Sequence, residues 1–386
     1  MGEERILARR LTRRGFLAGT AVATLGGAAI TMMGAECTPA IIRRVVQAKT
    51  AGPPHHRAWV WQFSIDGDPQ QIAANLGANG VGIMLKTHDG LDWMSTFDAH
   101  PSAVTGPAQV SSLAHMYEAR GVPFHAWCVV KGIDPVAEAN MAADVLAAGA
   151  RSLTLDLEGG AGFWVGSADA AAQYGAQLRA RSPYGRVDIS IDPRPWRINL
   201  VPMPQFIDMC DGISPQCYWD TFNSQSNIDL YRANGYASTA GMTPEFLMSA
   251  TADILAGYDR YVIPAGQGAS TTTMFSRFVR AAWNNGMGTV SCWRYGVTPY
   301  DTLAYLGQNH AGLAPQPART PTRTPTAGHT KTPTRTPTPT KTATGTTTPT
   351  RTATTSPTAA PSSTTTPTPT NSPTLTPSPP AGTVTP

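Results

Sequence analysis

Five cysteines in 386 residues form no CxxC pair, and none is spaced with histidine as a zinc finger requires. A zinc-held fold therefore has no basis in the sequence, and a disulfide, allowed outside the cytoplasm, has no pair that the sequence names. No HxH or HExxH arrangement occurs either, which removes the usual zinc-hydrolase signatures. No glycine-rich phosphate loop follows the first strand-like run, so a nucleotide-binding doubly wound sheet is only the second choice of fold. Acidic residues are absent from Ala311 onward, where six Lys/Arg stand alone. The first 50 residues carry eight Lys/Arg against three Asp/Glu. Between these ends, 15 Lys/Arg face 22 Asp/Glu, so an overall charge of +4 conceals a central body at −7. That body offers no basic face for nucleic acid.

The ends read differently from the middle. Arg13 and Arg14 precede Gly15-Phe16-Leu17 and an uncharged Ala/Gly-rich run. "TRRGFLA" resembles a twin-arginine export signal, which implies export of the folded chain to the cell surface or beyond. The run is weakly hydrophobic for a membrane anchor. We expect a signal peptide over residues 1–40, a short linker over 41–56, and one domain over 57–312. Cys37 offers a lipid-attachment option, against which Gly34-Ala35-Glu36 before it does not fit the usual lipidation box. Residues 313–386 are Thr/Pro-rich, with nothing to bury, and predict a disordered stalk or an inert tail.

Eight strand-like runs cross the middle: "AWVWQFS", "VGIMLKT", "VPFHAWCVV", "RSLTLDLE", "VDISID", "DGISPQCYWD", "YVIPAGQG" and "GTVSCWRYG". Ala-rich amphipathic segments separate them. Alternation of strand and helix favours a parallel sheet, and eight units in this length predict an α/β fold, a single (β/α)8 TIM barrel. Cys128, Cys217 and Cys292 lie in apolar strand-like runs and read as buried small hydrophobes.

The fourth run ends "LTLDLEGG" over residues 153–160. Strand alternation puts Thr154, Asp156 and Glu158 on one face and three leucines on the other. Two carboxylates in one small space raise the pair's proton affinity, so one of them holds a proton near neutral pH. A protonated carboxyl in a cleft is what cleavage of a glycosidic bond requires. Taking that face as the barrel interior, the other runs contribute Gln62 and Ser64, Lys86, His125 and Trp127, Ser190 and Asp192, Ser214, Gln216 and Tyr218, Asp220, Gln267 and Trp293. Gln216 and Tyr218 could orient a polar group, while Trp127, Trp219, Trp293 and the loop residue Trp164 could stack on sugar rings. The seventh strand has Gln267 where a retaining glycosidase often has a second acid. Either the substrate's own N-acetyl group attacks with Asp156 steadying it, or Asp192 or Asp220 activates water.

The D-x-E ending strand four, a Tyr on strand six and a Trp on strand eight resemble glycoside hydrolase families 18 and 25, the chitinase-like and lysozyme-like barrels. The family 18 resemblance implies Glu158 as proton donor, Asp156 as support for the acetamido group, Tyr218 as its binding partner and Trp293 as the floor. The chain departs from both families. It lacks further acids upstream in strand four, and in strand one it has Gln62 and Ser64, reaching Asp66 only beyond. "PQCYW", "IPAGQ" and "CWRY" are also similar to strand ends of uncharacterised bacterial and phage barrels.

The expectation is therefore a secreted, monomeric hydrolase of an N-acetylated or cell-wall polysaccharide, with no metal, cofactor or nucleic-acid partner. A non-catalytic glycan-binding or surface barrel is the alternative, and a barrel amidase a third. In a purely structural reading, the two acids pair with Lys86 and Arg294 across the mouth. "HDGLDWMSTFD" reads as a long substrate loop, without EF-hand spacing.

Overall fold

In the computed structural model, residues 55–311 are described except Thr239 and His310. The backbone of an antiparallel hairpin, Thr20–Leu25 with Ala28–Met33, is described as well. Apart from that hairpin, the expected signal, Cys37, nearly all of the linker and the tail lie outside the described residues.

Eight parallel strands close on themselves. They are β1 (Arg57–Val60), β2 (Gly82–Asp89), β3 (Phe124–Val129), β4 (Leu153–Leu157), β5 (Val187–Ile191) and β6 (Gly212–Cys217). β7 runs in two pieces, Tyr261–Val262 and Ala265–Gln267, and β8 is Ser291–Trp293. Each pairs with the next, and β8 pairs with β1, with Ser291 opposite Arg57. Closure leaves the barrel with no open edge.

The outer layer holds helices α1 (Pro69–Ala78), α2 (Pro107–Glu118), α3 (Pro135–Ala147), α4 (Ala168–Arg181) and α5 (Met203–Met209). It continues with α6 (Gln225–Ala233), α7 (Pro244–Leu255), α8 (Thr272–Asn284) and α9 (Tyr300–Gln308). Their starts are written in the sequence. Asp68, Asp134 and Thr243 each accept a backbone N–H of the first turn and each precede a proline. A capping oxygen followed by proline satisfies orphan donors and fixes the first helical φ.

Two packing layers follow from strand alternation. Outward residues such as Ala58, Val60, Leu153, Leu155, Leu157, Ile189 and Ile213 meet the helices in the main core. Inward, Trp59, Met84, Trp127, Val129 and Ala265 form a second apolar cluster inside the barrel. Beneath it, Arg57 and Arg186 pair with Asp188, and His125 bonds His55 and Ser152 at 2.7 Å each. The four described cysteines are buried and unpaired.

Candidate active site

β4 brings the two acids to the mouth of the barrel. In register, Asp156 lies between Val129 of β3 and Ser190 of β5. Asp156 is 7% exposed, while Glu158, one step beyond the strand, is half-buried. The Gln216 amide on β6 donates to both, at 3.3 Å to Asp156 Oδ1 and 2.9 Å to Glu158 Oε1. Burial, reinforced by the charge of Glu158, pushes the Asp156 carboxyl up to about 7. The Ser190 hydroxyl and the charge of Lys86 act in the opposite direction. Tyr218 stands beside the pair; burial and then the charges of Asp156 and Glu158 push its phenol well above the ordinary range, so it remains a donor.

The acids are not an ion-paired girdle. Lys86 bonds Asp89 at 2.9 Å, and Arg294 pairs with Asp66. Among the described residues, no Lys or Arg forms a salt bridge with Asp156 or Glu158. Asp66 is a fastener, accepting the Trp61 N–H at 2.6 Å and the Gly296 N–H at 3.2 Å.

Three tryptophans floor the site. Trp59, Trp127 and Trp293 meet edge to face at 5.3–5.6 Å between centroids. Trp127 is 2% exposed, with its indole N–H on Val60 C=O at 3.0 Å, so it supports the floor and offers no stacking face. Trp293 is partly exposed above it.

Several expected positions are placed elsewhere. Trp219 is 0% exposed and packs outward on Phe275 and Phe278 of α8, because it shares the parity of Ile213 and Cys217. Gln62 and Ser64 are not strand residues. β1 stops at Val60, a helical turn over Phe63–Asp66 follows, and Gln62 bonds Phe97 C=O at 2.6 Å. Trp59 and Trp61 take the inward positions instead, Trp61 packing against the luminal cluster. Trp164 is buried on Phe206, whereas Phe163 packs on the luminal cluster.

The two remaining acids are engaged. Asp192 is gripped by the Arg194 guanidinium at 2.9 and 3.0 Å, with Arg197 Nε 3.4 Å away. Gln267 accepts the Asp220 and Thr221 N–H groups at 3.1 and 3.2 Å and donates to Asp220 Oδ2 at 3.1 Å. It latches the β6 and β7 loops together. Lys86 lies over the Phe97 and Trp127 rings. The loop "HDGLDWMSTFD" folds back as a short strand, Asp92–Trp93, and its Asp98 accepts the Phe63 N–H at 2.7 Å.

By sequence the chain matches no protein-family model and no curated protein. It is similar to solved structures. One is the catalytic domain of a hyperthermophilic chitinase from Pyrococcus furiosus: 13% identity, 67% of this chain, 97% of that chain, TM-score 0.43. The spore cortex-lytic enzyme SleL of Bacillus cereus matches at 9% identity, over 67% of this chain and 75% of that one, TM-score 0.46. A glycoside hydrolase family 18 N-acetylglucosaminidase from Paenibacillus barengoltzii matches at 8% identity, over 66% and 99%, TM-score 0.45. The fold is given by the strand pairing above.

The loop after the acids is tightly made. Trp164 N–H donates to Glu158 C=O at 2.8 Å, and Gly160 N–H to Trp164 C=O at 3.2 Å. Gly160 sits at φ +123°, where glycine is favoured. A Cβ on Gly159 would stand 2.3 Å from Leu200 Cβ and 3.0 Å from its carbonyl oxygen. Gly159→Ala is therefore expected to cost about 1–3 kcal/mol and to displace the adjacent Glu158. Thermal melting would fall; an unchanged melting temperature would show that Leu200 yields freely.

Proposed function

We propose that the chain is a glycoside hydrolase acting on an N-acetylated or cell-wall polysaccharide, with Glu158 as the proton donor. The observation that carries this is the Asp156–Glu158 pair: two carboxyls held by one amide, outside any salt bridge among the described residues, with Asp156 raised to about 7. Such a pair holds one proton at neutral pH. Glu158 is the member nearer the mouth, and it would protonate the leaving glycosidic oxygen. Asp156, once charged, and the Tyr218 phenol would orient an N-acetyl group, whose oxygen would attack the anomeric carbon. This route is favoured over direct water attack because Asp192 is bound to arginine and Asp220 to Gln267. The partly exposed Trp293 would carry the sugar ring.

The full-length chain, incubated with chitin oligosaccharides and with peptidoglycan, should release shorter products. Binding of glycan with no product would favour a non-catalytic glycan-binding barrel instead.

The pair also sets a pH dependence. Activity should fall as pH rises past about 7, when the shared proton is lost. Stability moves in the same direction. Asp156 takes up its proton near 7 when folded and near 3.8 when unfolded, so between those values the folded chain binds more protons. That contribution, on the order of 2–4 kcal/mol, is complete below the unfolded value and lost as pH rises through about 7. Asp156→Asn should flatten the melting temperature against pH between about 4 and 7, and an unchanged slope there would remove Asp156 as the titrating group.

A further inference from the structure

The interior of the barrel is divided. β1, β2 and β3 fill their share of it with Trp59, Met84 and Trp127. β4, β5 and β6 line the other side with three hydroxyls, Thr154, Ser190 and Ser214, all buried. Register fixes which way they point. Thr154 pairs with the luminal Trp127 and stands two residues below Asp156 on the same face of β4. Ser190 pairs with Asp156 on one side and with Ser214 on the other, and Ser214 shares the parity of Gln216. One polar corner of the lumen therefore lies under the acid pair, bounded by the Asp156 carboxyl and the three hydroxyls.

The hydroxyls differ in what they hold. Ser190 bonds Asp156. Thr154 Oγ1 and Ser214 Oγ have no hydrogen-bond partner among the described residues. A buried hydroxyl left without a partner is costly, so each of the two calls for one. Residues two apart on one strand face stand about 6.6 Å from each other, too far for a direct bond from Thr154 to Asp156 but within the span of one water molecule. An interior water needs roughly two to four polar partners, and Thr154, Ser214 and Asp156 supply them. Asp156, for its part, is short of donors when charged. The Ser190 hydroxyl and the Gln216 amide serve it, and Gln216 lies nearer to Glu158, at 2.9 Å against 3.3 Å. A carboxylate accepts more bonds than these two.

We propose that the Thr154 and Ser214 hydroxyls hold one buried water molecule beneath Asp156, and that this water donates to the Asp156 carboxylate and fixes its position. Thr154 and Ser214 are then positioning residues, acting through Asp156. The water site stands on the two hydroxyls; its catalytic consequence rests on the hydrolase reading above. A donor to the charged form favours that form, so the water opposes the burial and the Glu158 charge that raise Asp156. The other charged or titratable groups about the pair are Lys86 from β2, Tyr218 just past β6 and Asp192 just past β5, the last bound by Arg194. β3 pairs with Asp156 through Val129, which does not titrate.

The test uses the full-length chain and three variants. Thr154→Val keeps the shape and loses the hydroxyl, Thr154→Ser keeps the hydroxyl, and Ser214→Ala removes the second one. The first readout is the pH at which the melting temperature stops falling, about 7 in the unaltered chain, which reports Asp156 and needs no substrate. Thr154→Val and Ser214→Ala should each move it up by about one pH unit, a tenfold gain in proton affinity, and Thr154→Ser should leave it within about twofold of the unaltered affinity. The second readout is kcat against pH on chitin oligosaccharides and peptidoglycan. Its alkaline limb should move up with the first readout in Thr154→Val and Ser214→Ala, with kcat lowered and KM little changed. A levelling pH that stays put in either of those variants overturns the water site, whatever becomes of activity. An equal shift in Thr154→Val and Thr154→Ser overturns it too, because packing and not the hydroxyl would then be the cause. Should Thr154→Val fail to fold, Ser214→Ala alone decides. If the levelling pH moves as expected but the alkaline limb stays, or no product forms at all, the water site is upheld and the hydrolase role of Asp156 fails.

Discussion

Glu158→Gln is expected to abolish product formation from any glycan the chain cleaves, by about 10²–10⁴-fold in kcat. The substitution keeps the shape of the side chain and retains an oxygen to accept the Gln216 amide, which lies 2.9 Å from Glu158 Oε1. It removes only the transferable proton. The fold should therefore survive, because Glu158 stands outside the salt bridges of the mouth, which run through Asp66, Asp89 and Asp192. KM should change little while kcat collapses, the pattern of a group needed in the transition state more than in binding. Products that persist at the original rate would remove Glu158 from the chemistry and leave Asp156 as the acid to test.

The second large effect concerns stability. Glu138, in the first turn of α3, is buried and accepts four consecutive backbone N–H groups: Lys131 at 2.8 Å, Gly132 at 3.1 Å, Ile133 at 3.0 Å and Asp134 at 3.3 Å. A loop that turns its donors inward needs one concentrated acceptor, and a carboxylate near a helix N-terminus also suits the helix dipole. Glu138→Ala strands all four donors and should cost about 3–5 kcal/mol. For a domain of this size that is on the order of 10 °C in Tm. Glu138→Gln should fall between the two, since one acceptor oxygen remains. A Tm loss under about 2 °C in the alanine variant would mean that the loop finds other acceptors. The damage should also reach the site, because Gly132 packs against the Trp164 ring and Trp164 holds the Glu158 carbonyl.

The barrel was legible because its strands alternate and its helices carry capping oxygens before proline. The parity set by Asp156 and Glu158 also puts Gln216 of β6, and Tyr218 just past its end, on the luminal face where the structure has them, since one residue's shift moves every side chain to the other face. The sequence is less legible where strands end. β1 yields to a helical turn after Val60, so Trp61 and not Gln62 faces inward. In "GGAGFW" the loop turns so that Phe163 meets the lumen and Trp164 the outer core, and no periodicity operates there. The partners of Lys86 and Asp192 were hidden for the same reason. Asp89 sits at the strand's last residue, and Arg194 and Arg197 lie beyond theirs, in chain whose path only the folded barrel determines.

The latch at Gln267 has a bearing on reversibility. Its amide oxygen accepts from Asp220 N–H, Thr221 N–H and the Thr221 hydroxyl, and an amide has no proton to gain or lose near neutrality. The loops that shape one side of the mouth are thus fastened by an amide that does not titrate near neutrality, while the acid pair on β4 does. Raising the pH past about 7 should therefore deprotonate the acid pair and lower the overall stability while leaving this latch fastened, and lowering it again should reverse both changes.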